Sequence, residues 1–261
     1  MPITVHATPL PATAENPDPG QIVEVVADYP PVNALPVAGW RGLAEALRAA
    51  GADPRTRAIV LRAEGRGFNA GVDIKELQGA ADHGPLVAVN RACFDAFAAV
   101  YEAPVPVIAA VAGFCLGGGI GLVGNADILL ASDDATFGLP EVERGALGAA
   151  THLARLVPPG KLRVMLYTGV RATAAELQAW GSVHAVVPRD RLRDEAMAMA
   201  RLIASRDPVV MRAAKEAATH IDPVDPRASY RVEQGFTFEL NLLGAGHRNR
   251  AAFLATKGKA P

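Results

Sequence analysis

Three consecutive glycines, Gly117 to Gly119, follow a strongly apolar segment of the chain. The five residues 107–111 are all apolar and three of them are β-branched, which predicts a buried strand. Glycine in an ordered segment costs backbone entropy, so the triplet indicates that another group closely approaches the main chain. If a helix begins at Gly119, its free N–H groups and positive dipole end favour an anion or a carbonyl oxygen that gains charge. A glycine-packed strand-to-helix corner is the alternative.

The composition excludes several classes of partner. The chain has 261 residues, of which 50% are apolar and 20% charged, with a formal net charge of −1. These proportions are typical of a globular protein with one large core. The balanced charge argues against nucleic acid or an anionic membrane as partner. The apolar run 104–115 is too short to span a bilayer, and residues 1–20 lack the features of a signal peptide, so we expect a cytoplasmic protein.

The cysteines and histidines do not predict a metal centre. Cys93 and Cys115 stand in apolar surroundings without metal-ligand spacing, which predicts buried free thiols in a reducing compartment. The histidines are scattered along the chain, so we expect no metal site.

Strand, turn and helix patterns alternate up to about residue 190, and only helical patterns follow. We therefore expect an α/β core over residues 1–205, irregular at its proline-rich start (1–20), and a C-terminal helical segment over residues 206–261. Strands are predicted at 21–27, 58–62, 107–111 and 183–187. Helices are predicted at 38–50, 86–101, 151–157, 161–169, 174–180 (with Thr173 as N-cap), 191–205, 209–220, 229–243 and 249–255.

A second glycine-rich loop, residues 65–73, follows the short strand predicted at 58–62. Two such loops can point two backbone N–H groups at one carbonyl oxygen and so form an oxyanion hole. Glu141 comes directly after Pro140, and in an apolar cleft its pKa would rise enough for it to act as an acid or base. The alternative for Glu141 is a solvent-facing position at a helix start, where glutamate is favoured in any case.

Three segments in this order and spacing, FNAGVDIKEL, VIAAVAGFCLGGGIGL and ADILLASDDATFGLPE, resemble the crotonase (enoyl-CoA hydratase/isomerase) superfamily. The resemblance extends from about residue 21 to the C-terminus. It implies an α/β fold in which repeated ββα turns form a spiral core and a C-terminal helical segment drives oligomerisation into homotrimers or hexamers. It also implies a small-molecule acyl-CoA substrate, with coenzyme A present as part of that substrate and no permanently bound cofactor.

The resemblance assigns roles to individual positions. The N–H groups of Val72 and Gly118 would hold the thioester carbonyl, and Glu141 would carry out the proton transfer. Asp73 would brace its loop, and the last helix would contact coenzyme A of a neighbouring subunit. The coenzyme A-binding positions implied in this way are Ala70, Gly71, Asp73, Gly119, Phe253 and Lys257.

One position departs from the family pattern. Typical hydratases carry two glutamates that hold and split the added water; the second matches Glu141, but the first falls on Gly121, which cannot move a proton. We therefore expect a reaction in which one carboxylate carries out the proton transfer. We also expect Gly121 to leave open space for a compact fused-ring acyl group. The loop after Glu141 also differs and supplies Arg144 and His152. With Gly121, these two are the substrate-pocket candidates, and a solvated loop is their alternative.

Two reactions fit one glutamate and an oxyanion hole. The first is hydrolytic C–C cleavage of a cyclic β-keto-type acyl-CoA through a thioester enolate, and the second is Δ3,Δ2-enoyl-CoA isomerisation. The segments EGRGFNAGVDIKEL, GFCLGGGIGLVGN, FGLPEVERGALGAATHL and EQGFTFELNL resemble family members that open a steroid-derived ring, which favours the hydrolase. Hydratase-like activity and a non-enzymatic scaffold stay as alternatives. The presence of Val72, Gly118 and Glu141 at their motif positions argues against the scaffold.

Overall fold

A computed structural model describes residues 2–12, 20–78 and 82–257, without the side chains of residues 256 and 257. The strands are β1 (Ile3–Pro9), β2 (Gln21–Ala27), β3 (Thr56–Ala63), β4 (Val107–Val111), β5 (Phe114–Leu116), β6 (Ile128–Ser132), β7 (Thr136–Gly138), β8 (Ala172–Thr173) and β9 (Ala185–Val187). The helices are α1 (Val37–Ala52), α2 (Gly84–Tyr101), α3 (Gly118–Val123), α4 (Ala150–Leu153), α5 (Pro159–Thr168), α6 (Ala174–Ala179), α7 (Leu192–Ala204), α8 (Pro208–His220), α9 (Pro226–Leu242) and α10 (Ala245–Lys257), with short 3-10 helices at Pro140–Arg144 and Arg189–Arg191.

The strands form two sheets that the chain builds in alternation. The larger sheet has the order β1-β2-β3-β4-β6-β9, and the smaller has the order β5-β7-β8. Only β1–β2 and β7–β8 are antiparallel; the other described pairings are parallel. Because β4 and β6 enter the larger sheet while β5 and β7 enter the smaller one, successive turns add one strand to each. This confirms the predicted α/β spiral of ββα turns.

The larger sheet is covered on both faces, which explains its continuous apolar strands. Alternate side chains of a strand face opposite sides. Ile59 and Leu61 of β3 therefore join the core formed with α1 and α2, whereas Ala58 and Val60 join the core formed with α7. Both cysteines are free and buried, as predicted.

The N-terminal stretch corrects one expectation. Residues 1–20 were expected to be irregular, but residues 3–9 form β1, which pairs with β2 in a register that sets Val5 opposite Val25. An edge strand is held by main-chain hydrogen bonds and needs little apolar surface, so its exposed, proline-flanked sequence gives a weak signal. Residues 13–19 of that stretch lie outside the described residues.

All the predicted helices are present, and their ends differ from the predicted bounds by at most four residues, as at α10, which begins at Ala245 and not at 249. Thr173 caps α6, since its Oγ1 accepts the N–H of Glu176 while the Glu176 carboxylate accepts the N–H of Thr173. The helix expected at 151–157 is shorter, because α4 ends at Leu153 and turns follow. α3 begins within the glycine triplet, at Gly118 and not at Gly119 as expected.

After residue 205 the regular elements of the described chain are all helices, and they pack against different parts of the core. α9 packs against α2 and α4, and α10 packs against α9 and the 3-10 helix Pro140–Arg144. Along the part of the chain that the structure describes, no helix combines the length and apolarity needed to cross a membrane. The division into a core at 1–205 and an oligomerisation segment at 206–261 stays a prediction.

Candidate active site

The two glycine-rich loops meet because the chain leaves the neighbouring parallel strands β3 and β4 at the same edge of the sheet. The first loop follows β3, and the second follows β5, the short strand that comes directly after β4 and is bridged by Asn69 at Cys115. Asn69 joins them: its backbone oxygen accepts the N–H of Leu116 at 2.8 Å, and its backbone N–H donates to the oxygen of Phe114. The Asn69 side chain also accepts the N–H of Gly71 at 2.7 Å. A β-carbon added to Gly71 would lie 3.4 Å from the amide nitrogen of Gly118, so the loops are in direct contact.

Two backbone N–H groups in this contact region have no acceptor among the described residues. Val72 bridges to Leu35, but that bridge uses the oxygen of Gly71 and the N–H of Asp73. Gly118 is the first residue of α3, so its N–H has no intrahelical acceptor. Among the described residues neither the Val72 nor the Gly118 N–H makes a backbone hydrogen bond. Both residues line one cavity, as an oxyanion hole requires.

Glu141 lies in the first turn of the 3-10 helix Pro140–Arg144 and borders the same cavity. Its carboxyl group fits between two glycines. A β-carbon on Gly117 would lie 3.1 Å from Cδ of Glu141, and one on Gly148 would lie 2.6 Å from Cγ and 2.7 Å from Oε1. The absence of side chains at Gly117 and Gly148 therefore creates the space that the carboxyl group occupies.

The environment of Glu141 suits a proton-transfer group. Burial raises its pKa from the usual 4.5 to about 7, although the backbone hydrogen bond and the positive charge of Arg144 oppose the shift. Its Oε2 atom is shielded from solvent and has no hydrogen-bond partner among the described residues. A carboxyl group with a pKa near neutrality can take up and release a proton in one cycle. The alternative of a solvent-facing Glu141 is therefore wrong.

α9 fixes the loop that carries Gly148. The two carboxylate oxygens of Glu233 accept the N–H groups of Ala150 and Thr151 at 2.7 and 2.9 Å. One turn later Thr237 bonds to both the N–H and the oxygen of Leu147. These four bonds position the loop that closes over Glu141.

The rest of the cavity combines an apolar wall with a few polar groups. The apolar side chains come mainly from the loop after Val72 and from α2: Ile74, Leu77, Leu86, Val89, Cys93 and Tyr230. The polar side chains besides Glu141 are Asn90, Arg144, Thr237, Asn241 and Arg250. An apolar cavity with few polar groups is the usual form of a small-molecule site. No group of three or more His, Cys, Asp or Glu suited to a metal occurs within residues 2–12, 20–78 and 82–257.

Two of the three substrate-pocket candidates do not line this cavity. A β-carbon on Gly121 would overlap the ring of Phe97 and lie 2.6 Å from its Cε1 atom, so the expected open space is filled by an aromatic side chain and that expectation is wrong. His152 contacts the rings of Phe97 and Tyr230 in the layer behind the cavity. The ring centroids lie 5.1 and 4.9 Å away, and the rings meet edge-on and tilted. Burial lowers its pKa to about 3, so it is neutral near pH 7. Arg144 does line the cavity.

The predicted coenzyme A positions fall into different surroundings. Ala70 lines the cavity, whereas Gly71 and Gly119 are buried in the contact between the loops. A β-carbon on Gly119 would lie 3.0 Å from the side chains of Asn69 and Cys115, which makes its role one of packing. Asp73 stays at the loop, where its Oδ1 accepts the N–H of Lys75 at 3.1 Å.

At the C-terminus, Phe253 of α10 lies under the guanidinium group of Arg144, 4.2 Å from ring centroid to Cζ. This contact is within one chain, so α10 covers the site of its own subunit. The side chain of Lys257 lies outside the described residues. The expected contact of these two residues with coenzyme A stays a prediction.

Sequence reasoning missed the polar residues of the C-terminal helices that line the cavity or hold the loop above it. Glu233, Thr237 and Asn241 repeat every four residues on the buried face of α9, and this polar stripe was a usable signal. Arg250 on α10 had no comparable signal, because a single arginine on a late helix is usually solvated.

Comparison with known proteins gives consistent results. The family model described as enoyl-CoA hydratase/isomerase matches residues 18–242. The chain is 61% identical over 245 residues to the (7aS)-7a-methyl-1,5-dioxo-2,3,5,6,7,7a-hexahydro-1H-indene-carboxyl-CoA hydrolase of Mycobacterium tuberculosis, covering 94% of this chain and 99% of that protein. It is 60% identical over 235 residues to the protein of the same name from Rhodococcus jostii, covering 90% and 91%. The crystal structure of an enoyl-CoA hydratase from Mycobacterium avium subsp. paratuberculosis superposes with a TM-score of 0.83 at 23% identity over 96% of this chain and 98% of that one, which shows the fold alone.

The close fit of Gly148 to Glu141 predicts the effect of one methyl group. Gly148→Ala introduces no unfavourable φ angle, but its β-carbon would overlap the Glu141 carboxyl group, so we expect that group to move by about 1 Å or more. The measurement is a crystal structure of the variant. Gly160→Ala, at a glycine with open space around it, is the control. An unmoved carboxyl group in Gly148→Ala would contradict the proposed fit.

Proposed function

The chain belongs to the enoyl-CoA hydratase/isomerase family, and from this we propose that it hydrolyses a carbon–carbon bond in the fused-ring acyl group of an indene-dione carboxyl-CoA thioester. Two relatives at 61% and 60% identity carry the name of that hydrolase. The observation that most strongly supports the proposal is that Glu141 is the one carboxyl group, among the described residues, that lines the cavity together with the free N–H groups of Val72 and Gly118.

Glu141 acts as the base in the first step. Its carboxylate takes a proton from water while the water oxygen bonds to a ring ketone carbon. The bond from that carbon to the neighbouring ring carbon then breaks, and its electron pair passes into the conjugated acyl thioester as an enolate. The proton on Glu141 returns to the carbon skeleton, and the former ketone carbon becomes a carboxyl group. The net reaction adds one water and consumes no oxidant or reductant.

The two N–H groups act on the thioester oxygen. Val72 and Gly118 donate to this oxygen, which carries most of the negative charge of the enolate. Backbone donors of this kind are already oriented before the reaction, so they stabilise the charge without reorganisation. Coenzyme A takes part only as the carrier of the acyl group. The protein backbone at Ala70, which lines the cavity, contacts the coenzyme A.

Assembly forms a further part of the proposal. We propose that the chain acts in the cytoplasm as a homotrimer or hexamer joined through residues 206–261. Large apolar side chains on α8 and α9 are exposed in the single chain, among them Val209 (74% exposed), Val232 (66%) and Leu242 (72%). An exposed apolar surface of this kind is typical of a protein–protein interface.

The reaction itself is tested with three thioesters: the bicyclic dione-CoA, a 3-enoyl-CoA and crotonyl-CoA. We expect the purified protein to convert the dione-CoA into a product heavier by one water, with loss of the ring chromophore, as measured by mass spectrometry and absorbance. Isomerisation of the 3-enoyl-CoA without mass change would instead select the isomerase, for which Glu141 would move a proton between C2 and C4. Turnover of crotonyl-CoA alone would select a hydratase.

The raised pKa of Glu141 predicts the pH dependence. The base must be ionised, and burial raises its pKa to about 7, so kcat should fall about tenfold per pH unit below pH 7 and level off above it.

Glu141→Gln keeps the size of the side chain but removes the base, and should lower kcat by roughly 10²–10⁴ while Kd for the thioester changes little. Comparable kcat in Glu141→Gln would assign the proton transfer to another group.

The donor role of Gly118 is tested by a pair of variants at the same position. Gly118→Pro removes the N–H, and proline is tolerated at the first residue of a helix. Gly118→Ala keeps the N–H but adds the same clash with Trp40, whose ring would lie 2.7 Å from the new β-carbon. We expect the proline variant to lose about 10²–10³ more in kcat than the alanine variant. Equal kcat in two folded variants would exclude Gly118 as a donor.

A further inference from the structure

Arg250 is a buried residue whose guanidinium group has no carboxylate partner among the described residues. It is 9% exposed, and it lines the cavity that contains Glu141. Its Nη1 donates to the side-chain oxygen of Asn241 at 2.9 Å, and its Nε has no partner among the described residues. No carboxylate forms an ion pair with it in the part of the chain that the structure describes.

A charged group in this position is costly for the protein alone. Buried charges are normally paired, because their desolvation is repaid only by an opposite charge or a full set of hydrogen bonds. A neutral amide oxygen from Asn241 satisfies one donor of five. The remaining donors at a cavity wall therefore favour an anionic ligand over an apolar one.

Arg144 adds a second positive charge to the same cavity. Its Nε is also buried without a hydrogen-bond partner, and its one described ring contact is with Phe253. Burial lowers the pKa of Arg144, and Glu141 is the carboxylate that opposes this shift most. The Glu141 carboxyl group is itself half protonated near pH 7. The cavity thus contains two guanidinium groups and one partly neutral acid, which gives it a net positive charge.

We propose that Arg250, together with Arg144 in the same cavity, binds a carboxylate at the far end of the acyl group. This inference rests on the proposed function for its biological meaning, because hydrolytic opening of the ring creates such a carboxylate at the former ketone carbon. The N–H groups of Val72 and Gly118 are occupied by the thioester oxygen, so they cannot also receive the new anion. The fork of donors on arginine matches a carboxylate in geometry and charge.

The first test uses the wild-type protein and needs no ring hydrolysis. Adipoyl-CoA carries a terminal carboxylate, and its 5-carbamoylpentanoyl analogue replaces that carboxylate with a neutral amide of nearly the same shape. At about pH 6 the adipoyl carboxylate is ionised while Glu141 is mostly protonated. We expect adipoyl-CoA to bind roughly tenfold or more tightly than the amide by titration calorimetry.

The second test removes the charge of Arg250. Arg250→Met should lose roughly tenfold to a hundredfold in affinity for adipoyl-CoA and less than about twofold for the amide, and Arg250→Lys should retain part of the preference. Arg248→Met removes a positive charge from the exposed face of the same helix and should change neither affinity.

Three results would overturn the proposal. One is equal affinity of the wild type for both thioesters, a measurement that holds even if Arg250→Met does not fold. Another is an equal loss for both thioesters in Arg250→Met, which would assign Arg250 to the phosphates of coenzyme A. The third is an unchanged preference in that variant. Absence of ring hydrolysis with the carboxylate preference intact would overturn the proposed reaction and leave the carboxylate site in place.

Discussion

The site depends on the burial of one carboxyl group, that of Glu141, whose Oε2 atom has no hydrogen-bond partner among the described residues. Burial disfavours the charged form of Glu141 and raises its pKa to about 7, and the charges of Arg144 and Glu233 act in opposite directions on it. A strong ion pair would have kept the group charged and inert. A fully apolar setting would have kept it protonated. The intermediate setting leaves both protonation states accessible near neutral pH.

This setting is made largely by the absence of side chains. Gly117 and Gly148 leave the volume that the carboxyl group occupies, and Gly71 lets its loop contact the glycine triplet. Backbone alone is too flexible to hold such a shape, so the neighbouring elements must fix it. Glu233 and Thr237 on α9 do so with four hydrogen bonds to the loop that contains Gly148. The donors and the acid thus come from the α/β core, whereas the closing wall comes from the C-terminal helices.

How much of this arrangement is predictable depends on the range of the contacts. The strands β2 and β4 and the two glycine-rich loops follow from local apolar and glycine patterns, and the neighbouring parallel strands β3 and β4 bring those loops to one edge. The meeting of the two loops is therefore accessible from local patterns, whereas the roles of Val72, Gly118 and Glu141 follow from the family resemblance. The space at Gly121 is not, because a side chain of α2, Phe97, fills it from 24 positions earlier in the chain. The same holds for Arg250, whose burial is set by tertiary packing.

Phe97 bears directly on the chemistry. In typical hydratases a glutamate would stand at position 121, but here the ring of Phe97 occupies the space next to Gly121 and contacts Trp40, His152 and Tyr230. Because His152 is neutral and lies behind that ring, it offers no charged substitute for the missing acid. An aromatic layer thus stands where a second water-holding carboxylate would be, and in the proposed reaction all proton transfer at this wall is assigned to Glu141. A reaction in which one group first takes and then returns the same proton needs no second acid, which is the property shared by ring hydrolysis and isomerisation.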